Sequence, residues 1–202
     1  MAGALLVQFL SGLTSAAILF LVAAGITLIF GAMRIINVAH GSLYMYGAFL
    51  MASLLSSVFS GAALFWLGLV LATLLTGLLG VVLEITVLRR VYEREHLAQL
   101  LATFALFYIL ADVAQEIWGN KYRIVPVPPL LAGHTSFFGH AFPVYSLFVI
   151  GVAVLVGVLL FALLGLSLFG WRVRAAIEDP ELLAATGANV KLLSTGLFGI
   201  GA

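Results

Sequence analysis

The chain has 202 residues, 64% of them hydrophobic and 8% charged, with a mean hydropathy of +1.24. A soluble domain carries about a quarter charged residues, so no water-facing surface can be built from this composition. A net charge of +1 gives no bulk electrostatic case for nucleic acid, and the absence of cysteine removes disulfides, cysteine-ligated zinc, iron–sulfur clusters and thiol catalysis.

The apolar residues come in blocks, several longer than the roughly 20 residues that cross a bilayer core as helix. This predicts an all-α, polytopic transmembrane helical bundle solvated by membrane lipid. A β-barrel would alternate in polarity, and the continuous run from Leu64 to Leu83 does not. The first run, Leu5 to Phe30, has no basic n-region and is too long for a signal peptide, so it reads as a retained span. Gly12, Gly25, Ser11, Thr14, Ser15 and Thr27 give it small residues for close helix packing.

A polar stretch follows, Arg34 to Tyr46, reading R-I-I-N-V-A-H-G-S-L-Y-M-Y. The second apolar run goes from Leu43 to Phe59, a short turn falls at Ser60 and Gly61, and the third run spans Ala62 to Leu88. It leads into the densest charge cluster: Arg89, Arg90, Glu93, Arg94, Glu95 and His96. The fourth run, Leu97 to Trp118, carries Asp112, Gln115 and Glu116 on one face near its end. Pro126, Pro128, Pro129, Gly133, Gly139 and Pro143 make Gly119 to Pro143 a loop that cannot continue a helix. A fifth run, Val144 to Phe169, precedes a polar segment from Gly170 to Lys191. The last run starts at Leu192 and breaks off at Ala202, too short to cross, so the chain reads as a fragment truncated at its C-terminal end.

Short cytoplasmic loops carry the basic excess. Arg89 to His96 holds three arginines, and Gly170 to Lys191 holds Arg172, Arg174 and Lys191. Both are expected inside, the proline-rich loop and the N-terminus outside. Trp66, Trp118 and Tyr122 then fit an interfacial aromatic belt.

Polar groups at membrane depth are expensive and face a neighbouring helix or a water-filled path. In Arg34 to Tyr46, flanked by Gly31 and Gly41, this predicts a broken helix lining a path. Asn37, His40 and Ser42 would supply hydrogen bonds, and Tyr44 would share the face of His40 one turn on. An ordinary cytoplasmic turn, with Arg34 as anchor and His40 as a capping group, accounts for the same residues equally well. Haem or metal at His40 needs partners, and His96, His134 and His140 all fall in loops. In the polar segment, Asp179 as N-cap and Pro180 at the first helical position predict a short helix ending at Gly187. Leu182, Leu183, Thr186 and Val190 would give it an apolar face. A solvated loop explains Arg172 and Arg174 equally well but not an apolar, capped helix outside the bilayer. Glu84, near Arg89, reads as a snorkelling group or local ion pair. No G-x-x-x-x-G-K-[ST] phosphate loop is present, so any ATP chemistry belongs to a partner and the chain is not expected to be an enzyme.

From Gly25 to Gly47, G-I-T-L-I-F-G-A-M-R-I-I-N-V-A-H-G-S-L-Y-M-Y-G resembles the signature of the LivH-type permease subunits of branched-chain amino acid ABC importers. Leu101 to Gly119 and Gly170 to Gly187, G-W-R-V-R-A-A-I-E-D-P-E-L-L-A-A-T-G, are similar to two later family segments, in the same order. Ala105 stands where the family has glycine and Val38 where it often has phenylalanine. The resemblance implies a single permease domain over residues 1–202, with a cytoplasmic coupling segment at 170–191, in a bacterial inner membrane. Branched-chain or other small hydrophobic amino acids would be the cargo. It further implies cytoplasmic ATPase subunits holding ATP and Mg, a second, LivM-like permease subunit, and a periplasmic or lipid-anchored substrate-binding protein. Asn37, His40, Gly41, Ser42 and Tyr44 would line the substrate path, and Arg172, Arg174, Asp179, Pro180, Leu183 and Gly187 would couple to the ATPase. The alternatives are a related permease for sugars or short amides, and a haem-carrying or purely structural membrane subunit.

Overall fold

The computed structural model describes residues 2–33, 35–57, 62–92 and 94–202. Helix α1 spans Ala2–Met33, α2 His40–Ser57, α3 Ala62–Thr86, and a single tighter turn, Leu88–Arg90, leads to α4, His96–Trp118. Strands β1, His134–Phe137, and β2, His140–Pro143, precede α5, Val144–Leu166. Helices α6, Leu168–Glu178, α7, Pro180–Ala185, and α8, Val190–Gly201, complete the chain.

Four stretches among the described residues are long and apolar enough to cross a membrane: Gly3–Met33, Leu64–Arg90, His96–Trp118 and Val144–Leu166. The multi-pass helical bundle expected from composition is therefore present. Helix α2 is helical where a second span was expected but is less apolar than the others, because its first turns read H-G-S-L-Y-M-Y. The turn expected at Ser60 and Gly61 lies outside the described residues, as do Arg34 and Glu93.

Lipid offers no hydrophobic drive between helices, so these pack through small residues and buried polar contacts. Helices α2 and α3 run antiparallel, with Gly47 against Thr76 and Gly68 against Met51 and Leu55. Helix α8 wedges between α1 and α3: Gly201 faces Gly25 and Ile29, while Gly199 faces Gly77 and Val81. Helix α4 lies on α2, where the Tyr46 hydroxyl donates to the Leu110 carbonyl at 3.0 Å. Trp118 donates to Ser53 Oγ at 2.7 Å, stacks on Phe49 and meets Tyr46 edge-on. Trp118 is thus a packing anchor between α2 and α4.

The loop 119–143 holds more order than its prolines suggest. Strands β1 and β2 pair antiparallel, His134 opposite Pro143 and Phe137 opposite His140, around a tight turn with Phe138 and Gly139 at positive φ. Pro143 sits at a strand end, where its missing N–H costs no ladder bond. The fifth run also breaks earlier than its hydropathy indicates. Ser167 accepts from the Gly170 amide at 3.1 Å and N-caps α6, and a Cβ at Gly170 would overlap the Leu164 backbone. Only glycine permits that corner.

The bundle has two distinct ends. At one, Gly3 of α1 packs on Phe138 and His140 of the hairpin. At the other, the Tyr92 hydroxyl reaches Met33 Sδ and Glu84 meets Thr195 of α8. The second end carries Arg89, Arg90, Arg94 and Lys191, matching the parity read from the basic loops.

Candidate functional site

Between α1 and α2 the backbone is unwound over Ile35–Ala39 and closes in a turn, with the His40 amide bonded to the Asn37 carbonyl at 3.2 Å. Thr103 of α4 donates to the Ile36 carbonyl at 3.1 Å, so protein supplies a partner to backbone that has left the helix. His40 starts α2 and its ring lies against Gly25 of α1, where a Cβ at position 25 would meet His40 Nε2 at 2.8 Å. Asn37, His40 and Ser42 are all buried. Among the described residues Asn37 Oδ1, His40 Nδ1 and Ser42 Oγ have no hydrogen-bond partner. Leaving one such group unpaired costs about 1–3 kcal/mol, so three within six residues call for a functional account.

Two other residues expected here behave differently. Gly41 is exposed, with open space where a side chain would stand. Tyr44 is 62% exposed and does not join His40 in the interior. The spacing places both on one helical stripe, but α1 covers only its first turn. The tyrosine buried among the described residues is Tyr46, about a turn and a half beyond His40.

At the basic end a second polar cluster forms. Glu84 of α3 is fully buried; Arg89 donates to both its oxygens, from Nε at 3.2 Å and Nη2 at 2.9 Å. Tyr92 and Thr195 add bonds at 3.0 Å and 2.8 Å. The ion pair was legible from the spacing of Glu84 and Arg89. The roles of Tyr92 and Thr195 were not, since Thr195 is 111 residues away and sits in an ordinary apolar run. Burial, and then the adjacent Glu84 carboxylate, push the Tyr92 hydroxyl above its usual range.

Helix α7 forms as its residues predict. Asp179 Oδ1 accepts from the amides of Glu181 at 3.0 Å and Leu182 at 2.9 Å, Pro180 opens the helix, and Gly187 beyond its end has φ +86°. None of its residues is buried. Leu182 is exposed, while Leu183, Thr186 and Gly187 border a hollow of about 560 Å³ shared with Arg172, Asn189 and Leu193. Arg174 turns back, donating to the Leu164 carbonyl and lying over the Trp171 ring. The histidines are dispersed: His140 touches Gly3 and His40 touches Gly25, 22 residues apart on one continuous helix, about 33 Å.

Comparison with known proteins bears on these features. The sequence model of the family described as "Branched-chain amino acid transport system / permease component" matches residues 8–202. The chain is 27% identical over 205 residues to the high-affinity branched-chain amino acid transport system permease protein LivH of Escherichia coli, covering 96% of this chain. It is 27% identical to the corresponding permease protein BraD of Pseudomonas aeruginosa and 26% identical to LivH of Salmonella typhimurium, again over 96% of this chain. The chain spans 66% of the length of each of these relatives. No solved structure matches it significantly.

Proposed function

The chain belongs to the branched-chain amino acid transport system permease component family, and on that premise we propose that it is the membrane permease subunit of an ABC importer. Its cargo is branched-chain or other small hydrophobic amino acids, moved into the cytoplasm of a bacterium across the inner membrane. Energy comes from cytoplasmic ATPase subunits that hold ATP and Mg, working with a second permease subunit and a substrate-binding protein outside. The names of the similar LivH and BraD proteins support the choice of cargo.

The observation that carries the proposal is the trio of buried atoms on Asn37, His40 and Ser42 that find no partner among the described residues. A permeating amino acid brings an ammonium and a carboxylate that must be hydrogen-bonded throughout the crossing. Polar atoms left free on unwound backbone offer transient partners without a deep trap, because a site that binds too well does not release. Gly41 and Tyr44, exposed beside the trio, extend that lining.

Helix α7 supplies the motor contact. It stands clear of the bundle, rigidly capped, and exposes Leu182 to a groove on the ATPase, with Arg172 beside it facing acidic groups there. Arg174, held by Leu164 and Trp171, braces the segment instead.

The test is uptake of labelled leucine by proteoliposomes holding the assembled importer. Ser42→Ala and Asn37→Leu are expected to lower ATP-driven uptake by about tenfold or more with the complex intact, on the scale of one lost buried hydrogen bond. Wild-type uptake in both variants would overturn the substrate path.

A further inference from the structure

Glu84 is the only carboxylate among the described residues to be fully buried, and the substrate path does not use it. Its partners come from separate parts of the chain. Arg89 and Tyr92 belong to the link between α3 and α4, and Thr195 belongs to the second turn of α8. The Thr195 hydroxyl also accepts from Arg89 Nη2, so carboxylate, guanidinium and hydroxyl form a closed triangle. Tyr92 extends it to Met33 at the end of α1, and its carbonyl accepts from Gln99 of α4 at 3.1 Å. One carboxylate therefore ties α3, α8, the end of α1 and the start of α4.

Replacing a buried ion pair by well-packed apolar residues is often neutral or stabilising, so stability alone is a weak reason for this one. Directional bonds at low dielectric do fix register and resist sliding. Position adds the rest. Helix α8 follows α7 after only a few residues, its first turn capped by Asn189, which accepts from the Leu192 amide at 3.0 Å. Beyond Thr195, α8 lies close against α3 through Gly77, Gly80 and Gly199 and against α1 through Gly25 and Gly201, glycine contacts that bring the backbones together but supply no side-chain hydrogen bond against sliding. Gly25 also touches His40.

Resting on the permease reading above, we propose that the Glu84–Arg89–Thr195 triangle is the joint through which displacement of α7 and α8 by the ATPase is delivered to α3 and on to the His40 segment. Glu84 and Thr195 are positioning residues; neither touches the solute. Without the joint, α8 shifts without carrying α3, and ATP hydrolysis runs without transport.

The chain contains no cysteine, so paired spin labels can be placed cleanly. In the assembled importer, Lys191→Cys at the start of α8 and Leu67→Cys near the far end of α3, both exposed, report the distance across the joint with and without ATP. Uptake per ATP hydrolysed is measured on the same vesicles. Thr195→Val keeps the shape and removes one hydroxyl, and Thr195→Ser restores it. In wild type and Thr195→Ser, α8 and α3 move as one, and ATP is expected to leave the distance unchanged while uptake proceeds. In Thr195→Val, ATP is expected to shift the distance, and uptake per ATP falls at least tenfold while hydrolysis continues. A wild-type pair whose distance shifts with ATP, or a Thr195→Val pair that stays as fixed as wild type, overturns the joint. A complex in which the wild-type pair stays fixed and the Thr195→Val pair shifts, but which takes up no leucine, refutes the cargo reading and leaves the joint standing.

Discussion

Tyr92 shows how one side chain in the polar cluster makes stability depend on pH. Burial and the Glu84 carboxylate hold its hydroxyl protonated beyond the point where a free tyrosine ionises, with Arg89 opposing weakly. An unfolded tyrosine loses its proton near pH 10. A group whose folded pKa is raised contributes fully below the unfolded pKa and loses that contribution as pH rises through the folded one. The melting temperature of the detergent-solubilised chain is therefore expected to fall above about pH 10. Tyr92→Phe carries no such proton, so the stability gap between wild type and this variant should narrow between about pH 8 and about pH 11. A gap constant over that range would show that the hydroxyl titrates as an ordinary surface tyrosine. The Glu84–Arg89 pair was visible in the sequence as two charges a turn apart. Tyr92 was not, because nothing in Val91-Tyr92 announces that the ring folds under α3.

Among the elements, α7 is the piece whose local chemistry was most legible. An N-cap, a proline at the first position and a terminal glycine act over a few residues and need no tertiary partner, so their spacing alone specified the helix. Asp179→Ala removes the acceptor of two amides and is expected to cost about 1 kcal/mol. In hydrogen exchange the Glu181 and Leu182 amides should open about fivefold more often, with α8 unchanged. Equal protection in both proteins would mean that packing, not the cap, holds α7. The hairpin and the corner at Ser167 were less legible. Both rest on a turn or cap whose partner must be seen: Phe138 adopts positive φ although it is not glycine, and Ser167 finds the Gly170 amide only once α5 has stopped.

For the whole molecule, the arrangement of basic loops fixes which ends of the helices share a side. The cysteine-free background allows a direct check with membrane-impermeant thiol reagents on inside-out and right-side-out vesicles. Single cysteines at exposed Arg94 and Leu182 are expected to react only in inside-out vesicles, and one at Tyr122 only in right-side-out vesicles. Labelling of Leu182 and Tyr122 from one side would overturn the topology, and labelling of Leu182 only in right-side-out vesicles would reverse it and with it the ATPase contact.

The sequence by itself determined the solvent, the helical class, the parity of the loops and the capped α7. Each follows from composition, from charge placement, or from bonds between residues a turn apart. Only the tertiary structure decided that Asn37, His40 and Ser42 lie buried with atoms unpartnered among the described residues while Tyr44 faces out, and that Trp118 serves as a packing anchor. It also decided that Thr195 closes on Glu84 across 111 residues. These depend on which helix covers which stripe, and in a chain apolar on nearly every face hydrophobic periodicity carries no record of that choice.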